Sequence, residues 1–353
     1  MTLPIKTVPF DCVRAFASKR SEGLGISFLK ENGELLSIAL SSGLSIDDNS
    51  LALYDELYGK IDKLCELYPP FFRFFLAITL DLEDLGMQGN KGEKLIDFVL
   101  RNDLYNYETS DTRRMEIINL LERRGRTPSY DIDPKDQIIS RIMTFMERPE
   151  RFIKFNRPLF YDLTHLVFYV TNFGTHSIPH SEKVFESLNH IGMLAYLDDD
   201  EDLLSEVCLC FIFLGQKAPK IWVEACRRGL DMIDIQFPIG PINKSEISGD
   251  DYHIYLVTSW LQAVSGGEAF HETYRNSVPK FVQKKSKAST LSKIFQTLHP
   301  LIIETDKKQN EKPINVKTFL SSQESVHLEG ALSVYSNGVN FIEKLTNGRI
   351  TIG

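Results

Sequence analysis

The sequence predicts an all-α protein built from repeated helical hairpins. Three observations carry that prediction. Apolar residues recur at steps of three and four from about residue 50 to residue 300. Five apolar runs stop at a glycine, at Gly86, Gly125, Gly174, Gly215 and Gly266, with gaps of 39, 49, 41 and 51 residues. No Val/Ile/Thr-rich alternation separates the runs, which argues against an α/β fold. A recurrence near that period marks stacked helical hairpins.

Taken in order, residues 1–48 read as an N-terminal leader of mixed structure. There Asn32-Gly33 lies between two apolar stretches. Asn-Gly is a hairpin turn signal, and a short helical hairpin is the alternative. Residues 49–304 form the helical-hairpin domain. Its first helix, Ser50–Leu67, carries Leu51, Leu53, Tyr54, Leu57, Tyr58, Ile61, Leu64 and Cys65, apolar at steps of three and four. Ser110-Asp111, Ser181-Glu182 and Asp250-Asp251 stand where N-caps are needed. Pro69-Pro70, Pro134, Pro158, Pro179 and Pro219 mark first turns or breaks. The terminal glycines suit a left-handed C′ position, which excludes a Cβ at little cost only in glycine. Partner helices are expected over 133–147, 181–194, 219–232 and 268–281. Residues 305–315 are polar and read as a loose linker. In 316–353 two Asn-Gly pairs, at Asn337 and Asn347, favour turns and a small hairpin.

The glycine-ended runs 159–173, 202–214 and 252–264 are more apolar than their partners. Helices apolar nearly all round are buried. One buried set and one amphipathic set is the pattern of a toroid-like α/α barrel, with an open α-solenoid as the alternative.

Composition narrows the function classes. The net charge is −8 and the one basic cluster is Lys284-Lys285-Ser286-Lys287. Phosphate binding needs clustered cations, and base stacking needs interleaved aromatics. No nucleic acid is therefore expected as a partner. The apolar stretches are too short for a membrane span and residues 1–20 lack a signal-peptide pattern. The five cysteines, Cys12, Cys65, Cys208, Cys210 and Cys226, lack zinc-site spacing and read as buried hydrophobes. A reduced, cytoplasmic protein is expected. Phosphate loops, dinucleotide fingerprints, Gly-x-Ser-x-Gly and zinc-protease motifs are absent.

Polar residues in the buried helices are the candidate site. Counting back nine from the terminal glycines gives His165, Glu206 and Glu116; counting back thirteen gives Tyr161, Asp202 and His253. Equal offsets place side chains at similar depth on equivalent helices. Asp162, His165, Tyr169 and Asn172 form a polar stripe on an otherwise apolar helix. Such a stripe must meet hydrogen-bond partners or line a cavity. Asp162 would orient His165 as general acid/base. Asp250, Tyr252 and His253 open a second helix, with Asp250 and Asp251 as its caps. His271-Glu272 reads as surface, and His176, His180 and His190 as loop and outer helix. Asp198, Asp199 and Asp202 match the D-D-x-x-D spacing that holds magnesium-diphosphate. The second metal motif of that chemistry is missing, so an acidic turn and N-cap is the plainer reading.

The segment Asp162-Leu-Thr-His-Leu-Val-Phe-Tyr169, continuing to Asn172-Phe-Gly174, resembles the (E/D)-L-T-H-x-x-F-Y motif of an uncharacterised bacterial family found near specialised-metabolite gene clusters. Asp250-Asp-Tyr-His253 is similar to a later segment of that family. The resemblance implies a helical fold and a biosynthetic setting, and carries over no catalytic roles. The leading expectation is an enzyme acting on a small molecule or peptide. His165, Asp162, Glu206 and His253 would be its catalytic residues, and Tyr169, Asn172, Asp250 and Tyr252 its binding residues. The alternative is a non-catalytic binding partner or scaffold in a biosynthetic complex. A terpenoid synthase-like enzyme is the weaker third reading. The sequence names no cofactor or metal.

Overall fold

The computed structural model describes residues 6–18, 25–129, 134–237, 250–270, 279–284, 288–303 and 313–352. Among them are sixteen α-helices and two two-stranded sheets. The chain is mainly helical, as its periodicity predicts. It divides into two compact units, one of residues 1–139 and 230–284, the other of residues 140–229 and 285–353. No helix among the described residues is long and apolar enough to cross a membrane.

The first unit holds α1 (Phe10–Ala17), α2 (Ile26–Ser41), α3 (Asp48–Ala52), α4 (Asp55–Leu67), α5 (Phe72–Asp84), α6 (Lys91–Arg101) and α7 (Asp111–Glu122). The 48 residues expected as a mixed leader thus carry two of its helices. Asn32-Gly33 is no hairpin turn; it lies inside α2. Asn32 is wholly buried, and its Nδ2 donates to the carbonyls of Phe16 (3.1 Å) and Phe28 (2.8 Å). Its Oδ1 accepts from Tyr54 (2.8 Å). Burial pushes the Tyr54 phenol far up, so the phenol stays a donor. Every polar atom of the amide is engaged, which is what burial of such a group requires.

β1 (Ile233–Gln236) pairs antiparallel with β2 (Lys280–Gln283), Ile233 opposite Gln283 and Gln236 opposite Lys280. A helix over 268–281 was expected; residues 271–278 lie outside the described set, and its end is this strand instead. Between the strands in sequence runs α13 (Tyr252–Val264). Asp250 and Asp251 serve the strand rather than the helix. Their carboxylates accept from the backbone N–H groups of Phe281 (3.2 Å) and Gln283 (2.8 Å).

The second unit holds α9 (Arg157–Val170), α10 (Glu182–Leu197), α11 (Glu201–Phe213), most of α12 (Lys220–Asp231), α14 (Thr290–Ile303), α15 (Ser322–Val334) and α16 (Gly338–Leu345). α8 (Lys135–Met146) runs between residues of both units. The expected C-terminal hairpin is replaced by α15 and α16. The two Asn-Gly pairs bracket α16: Asn337 precedes its first turn, and Asn347 takes the left-handed C′ position at φ 52°. β3 (Ile314–Asn315) and β4 (Ile350–Thr351) pair in parallel. The linker expected at 305–315 lies outside the described residues except for its last three. α15 opens with a capping box between Ser321 and Glu324. All five cysteines are buried, and none of them is in a disulfide.

The terminal glycines behave as the sequence predicts, with one exception and one addition. Gly86, Gly125, Gly215 and Gly266 all have positive φ. At each, the glycine N–H and the next N–H close the last turn as a Schellman motif; at Gly215 these bonds run to Ile212 (2.9 Å) and, from Gln216, to Phe211 (2.8 Å). Gly43 ends α2 in the same way and extends the series. α9 is the exception. It closes two residues early, with Asn172 at φ 44° as C′ and the Phe173 N–H bonded to Phe168 (2.7 Å).

Candidate functional site

In the second unit α9 and α11 lie side by side and parallel. The proof is the order of their contacts: Arg157 with Asp200, Tyr161 with Asp202, Thr164 with Glu206, and Phe168 with Phe213. α10 supplies the return between them. Parallel neighbours bring residues of equal offset to one level, so the face nine and thirteen residues before Gly174 and Gly215 becomes a polar strip.

The strip begins at the N-terminal end of both helices. Asp200 is 5% exposed and caps α11, accepting from the Leu203 N–H at 3.2 Å. Arg157 holds that carboxylate at 2.8 Å and also reaches the Tyr161 hydroxyl at 3.4 Å. Burial lowers the pull of the Arg157 guanidinium on its proton, but the Asp200 charge outweighs it and the guanidinium is raised. Tyr161 donates to Asp202 at 2.9 Å. Burial pushes its phenol up, and the Asp202, Glu206 and Asp200 charges add to that. Tyr161 is therefore a fixed donor.

One turn further, Glu206 is 2% exposed, a carboxylate in the core of the unit. Its Oε2 accepts from Thr164 Oγ1 at 2.5 Å. Its Oε1 lies 3.7 Å from His165 Nε2. The His165 side chain is 44% exposed, so a buried acid backs an accessible imidazole. The ring is flanked by Tyr161 and Phe168, with centroids 6.1 and 6.0 Å away. The carboxylate oxygens of Asp202 and Glu206 come within 4.8 Å of each other.

Asp162, Tyr169, Asn172 and Asp250 have other surroundings. Asp162 does not orient His165; it is exposed, and it makes no hydrogen bond or ion pair among the described residues. Tyr169 packs edge-to-face on Phe173 (5.9 Å). Asn172 is the α9 C′ residue, and its amide donates to Thr175 Oγ1 (3.0 Å). In the first unit His253 Nε2 sits 3.8 Å from Glu34, and Tyr252 packs edge-on against Phe16. Asp250 anchors β2 as described. His271 and Glu272 lie outside the described residues. Of the Asp198–Asp200 turn, only Asp199 is exposed; Asp198 accepts from Ser289 Oγ (2.7 Å), and Asp200 is buried rather than solvated. Glu206 is the acid that meets His165, not Asp162.

Thr164, Arg157 and Asp200 were missed as members. Two ion pairs in the first unit were missed, the first for want of Gly43. Glu34 lies nine before Gly43, and its partner His253 thirteen before Gly266. Arg73 lies thirteen before Gly86 and is ion-paired with Glu116, nine before Gly125. The same two offsets thus carry ionisable residues that pair between helices in each unit.

The chain matches, over residues 7–346, the model of a family described as a domain of unknown function, DUF6902, and belongs to that family. No curated protein and no solved structure matches it.

Proposed function

We propose that this member of the DUF6902 family is an enzyme acting on a small molecule or peptide, with His165 and Glu206 as its acid–base pair. One observation carries the reading: a carboxylate 2% exposed stands 3.7 Å behind an imidazole that solvent reaches. Burying a carboxylate costs several kcal/mol unless it is paired and hydrogen-bonded. A fold that needed only packing would place an apolar residue at 206, among Val207, Leu209 and Phe213. A buried acid that polarises an accessible histidine is instead the arrangement of a general base. Nδ1, the ring nitrogen that does not face Glu206, takes the substrate proton, and the Glu206 carboxylate stabilises the imidazolium that results. Tyr161, whose one proton goes to Asp202, flanks the His165 ring and limits its rotation.

The toroid-like arrangement belongs to the same proposal. It is supported by parallel glycine-ended neighbours in each unit, α5 with α7 and α9 with α11, whose facing positions are polar. A specialised-metabolite setting rests on the motif around His165.

The test is turnover. Purified protein is incubated with pooled small-molecule and peptide extracts, and the mixtures are compared by mass spectrometry. Wild type should deplete specific compounds, and His165→Ala and Glu206→Gln should each lose that depletion while retaining wild-type circular dichroism. Equal depletion by wild type and His165→Ala would overturn the assignment. Absence of depletion by wild type, with both variants folded, would favour the non-catalytic binding partner.

A further inference from the structure

Four buried threonines in the helical turns of this chain follow one habit. Thr79, Thr171, Thr258 and Thr346 each turn the hydroxyl onto the carbonyl four residues back, at 2.6, 2.7, 2.5 and 2.9 Å. That is the local default of a helical threonine. Thr164, wholly buried on α9, departs from it. Its Oγ1 reaches across to Glu206 Oε2 on α11, and only 3.1 Å of weaker contact remains to the Tyr161 carbonyl. A hydroxyl has one proton, and the carboxylate takes it, because a hydrogen bond to a charged acceptor is about twice as strong as a neutral one.

The backbone of the same residue is tied to the same helix. The Cys210 thiol, one turn beyond Glu206, donates to the Thr164 carbonyl at 3.7 Å. Burial first, and then the Glu206 charge, raises the Cys210 thiol, so it persists as a donor. Thr164 therefore registers α9 on α11 at the level of the pair. With Oε2 held by Thr164, the second oxygen of the carboxylate lies 3.7 Å from His165 Nε2.

We propose that Thr164 is a positioning residue that holds the Glu206 carboxylate aimed at His165; this rests on the acid–base reading of that pair. Thr164→Val keeps the shape of the side chain and removes the donor. Glu206 Oε2 then lies buried without that hydrogen bond, and the carboxylate turns from its place behind Nε2. Thr164→Ser restores the donor without the methyl group.

The readout is the ring ¹⁵N resonances of His165 at one fixed neutral pH, in protein labelled at its eight histidines and assigned with His165→Ala. Wild type and Thr164→Ser should share one set of shifts. Thr164→Val and Glu206→Gln should move that set in the same direction, toward a solvent-exposed histidine, with the other histidines unmoved. Unchanged His165 shifts in Thr164→Val, with Glu206→Gln moving them, would overturn the role of Thr164 alone. Unchanged shifts in Glu206→Gln would remove the pair itself. Should Thr164→Val fail to fold, Thr164→Ser decides: shifts displaced from wild type would make the methyl packing, not the hydroxyl, responsible.

Discussion

The same substitution, glycine to alanine, should change stability in opposite directions at three places in this chain. Gly215 closes α11 at φ 78°, and a Cβ built there meets nothing within 4 Å. The cost of Gly215→Ala is then purely that of forcing an L-residue into the left-handed region, about 1–2 kcal/mol. Gly59 lies within α4, also with open space around its Cβ position and with no left-handed φ. There alanine should stabilise by about 0.5–1 kcal/mol, through backbone entropy and helix propensity. Gly192 lies within α10, where a Cβ would stand 2.3 Å from two ring carbons of Trp222. That ring is wholly buried and packed edge-on against Phe211, so it cannot swing aside. Overpacking a rigid ring costs about 3 kcal/mol or more. The assay is urea unfolding followed by far-ultraviolet circular dichroism. With a slope of about 3 kcal/mol per molar, Gly215→Ala should lower the midpoint by about 0.3–0.7 M and Gly59→Ala should raise it slightly. Equal effects at Gly215 and Gly59 would refute the claim that chain geometry selects the terminal glycines.

Two further outcomes follow from the charged groups. Burial raises the Asp84 carboxyl, but hydrogen bonds from Arg124 and Arg123 outweigh it and hold the carboxyl below its usual value. Its contribution is therefore complete above the ordinary aspartate pKa of about 3.9 and is lost as pH falls through the lower folded value. Arg124→Met should thus destabilise at neutral pH, and that deficit should shrink toward zero in acid, as read from urea midpoints across a pH series. Asp199→Asn should leave stability within about 0.5 kcal/mol of wild type, and any turnover unchanged, because this exposed residue lies at a helix C′ position (φ 51°). Loss of turnover there, with magnesium dependence, would revive the diphosphate reading.

The helical class was legible because period and punctuation are local properties. Each glycine-ended run announces its own boundary, and a left-handed C′ residue is selected by its own φ. What failed was the assignment of signals that serve two purposes. Asn-Gly starts hairpins, but it also closes helices, as at Asn347, and it can sit inside one when a neighbour's phenol takes the amide, as at Asn32. Aspartates before a helix read as caps, yet Asp250 and Asp251 spend their carboxylates on β2. Those choices are made by tertiary partners that no window of sequence contains.

The site was half legible for a related reason. A glycine at a fixed C′ position works as a ruler along the helix, at about 1.5 Å per residue. Two parallel helices that end at the same level then bring equal offsets together, as Tyr161 and Asp202 are. The ruler is inexact for α9, whose C′ residue is Asn172, two positions before Gly174. That error is only about 3 Å of rise, less than the reach of a tyrosine or a glutamate, so the pairing survives it. The ruler says nothing about the direction in which a side chain leaves the helix. Asp162 and Thr164 flank the same turn, and sequence favoured the charged one as the partner of His165. In the fold it is the threonine that faces α11. A small neutral side chain carries no signal of its own in a sequence; its importance comes from the carboxylate it meets, forty-two residues later in the chain.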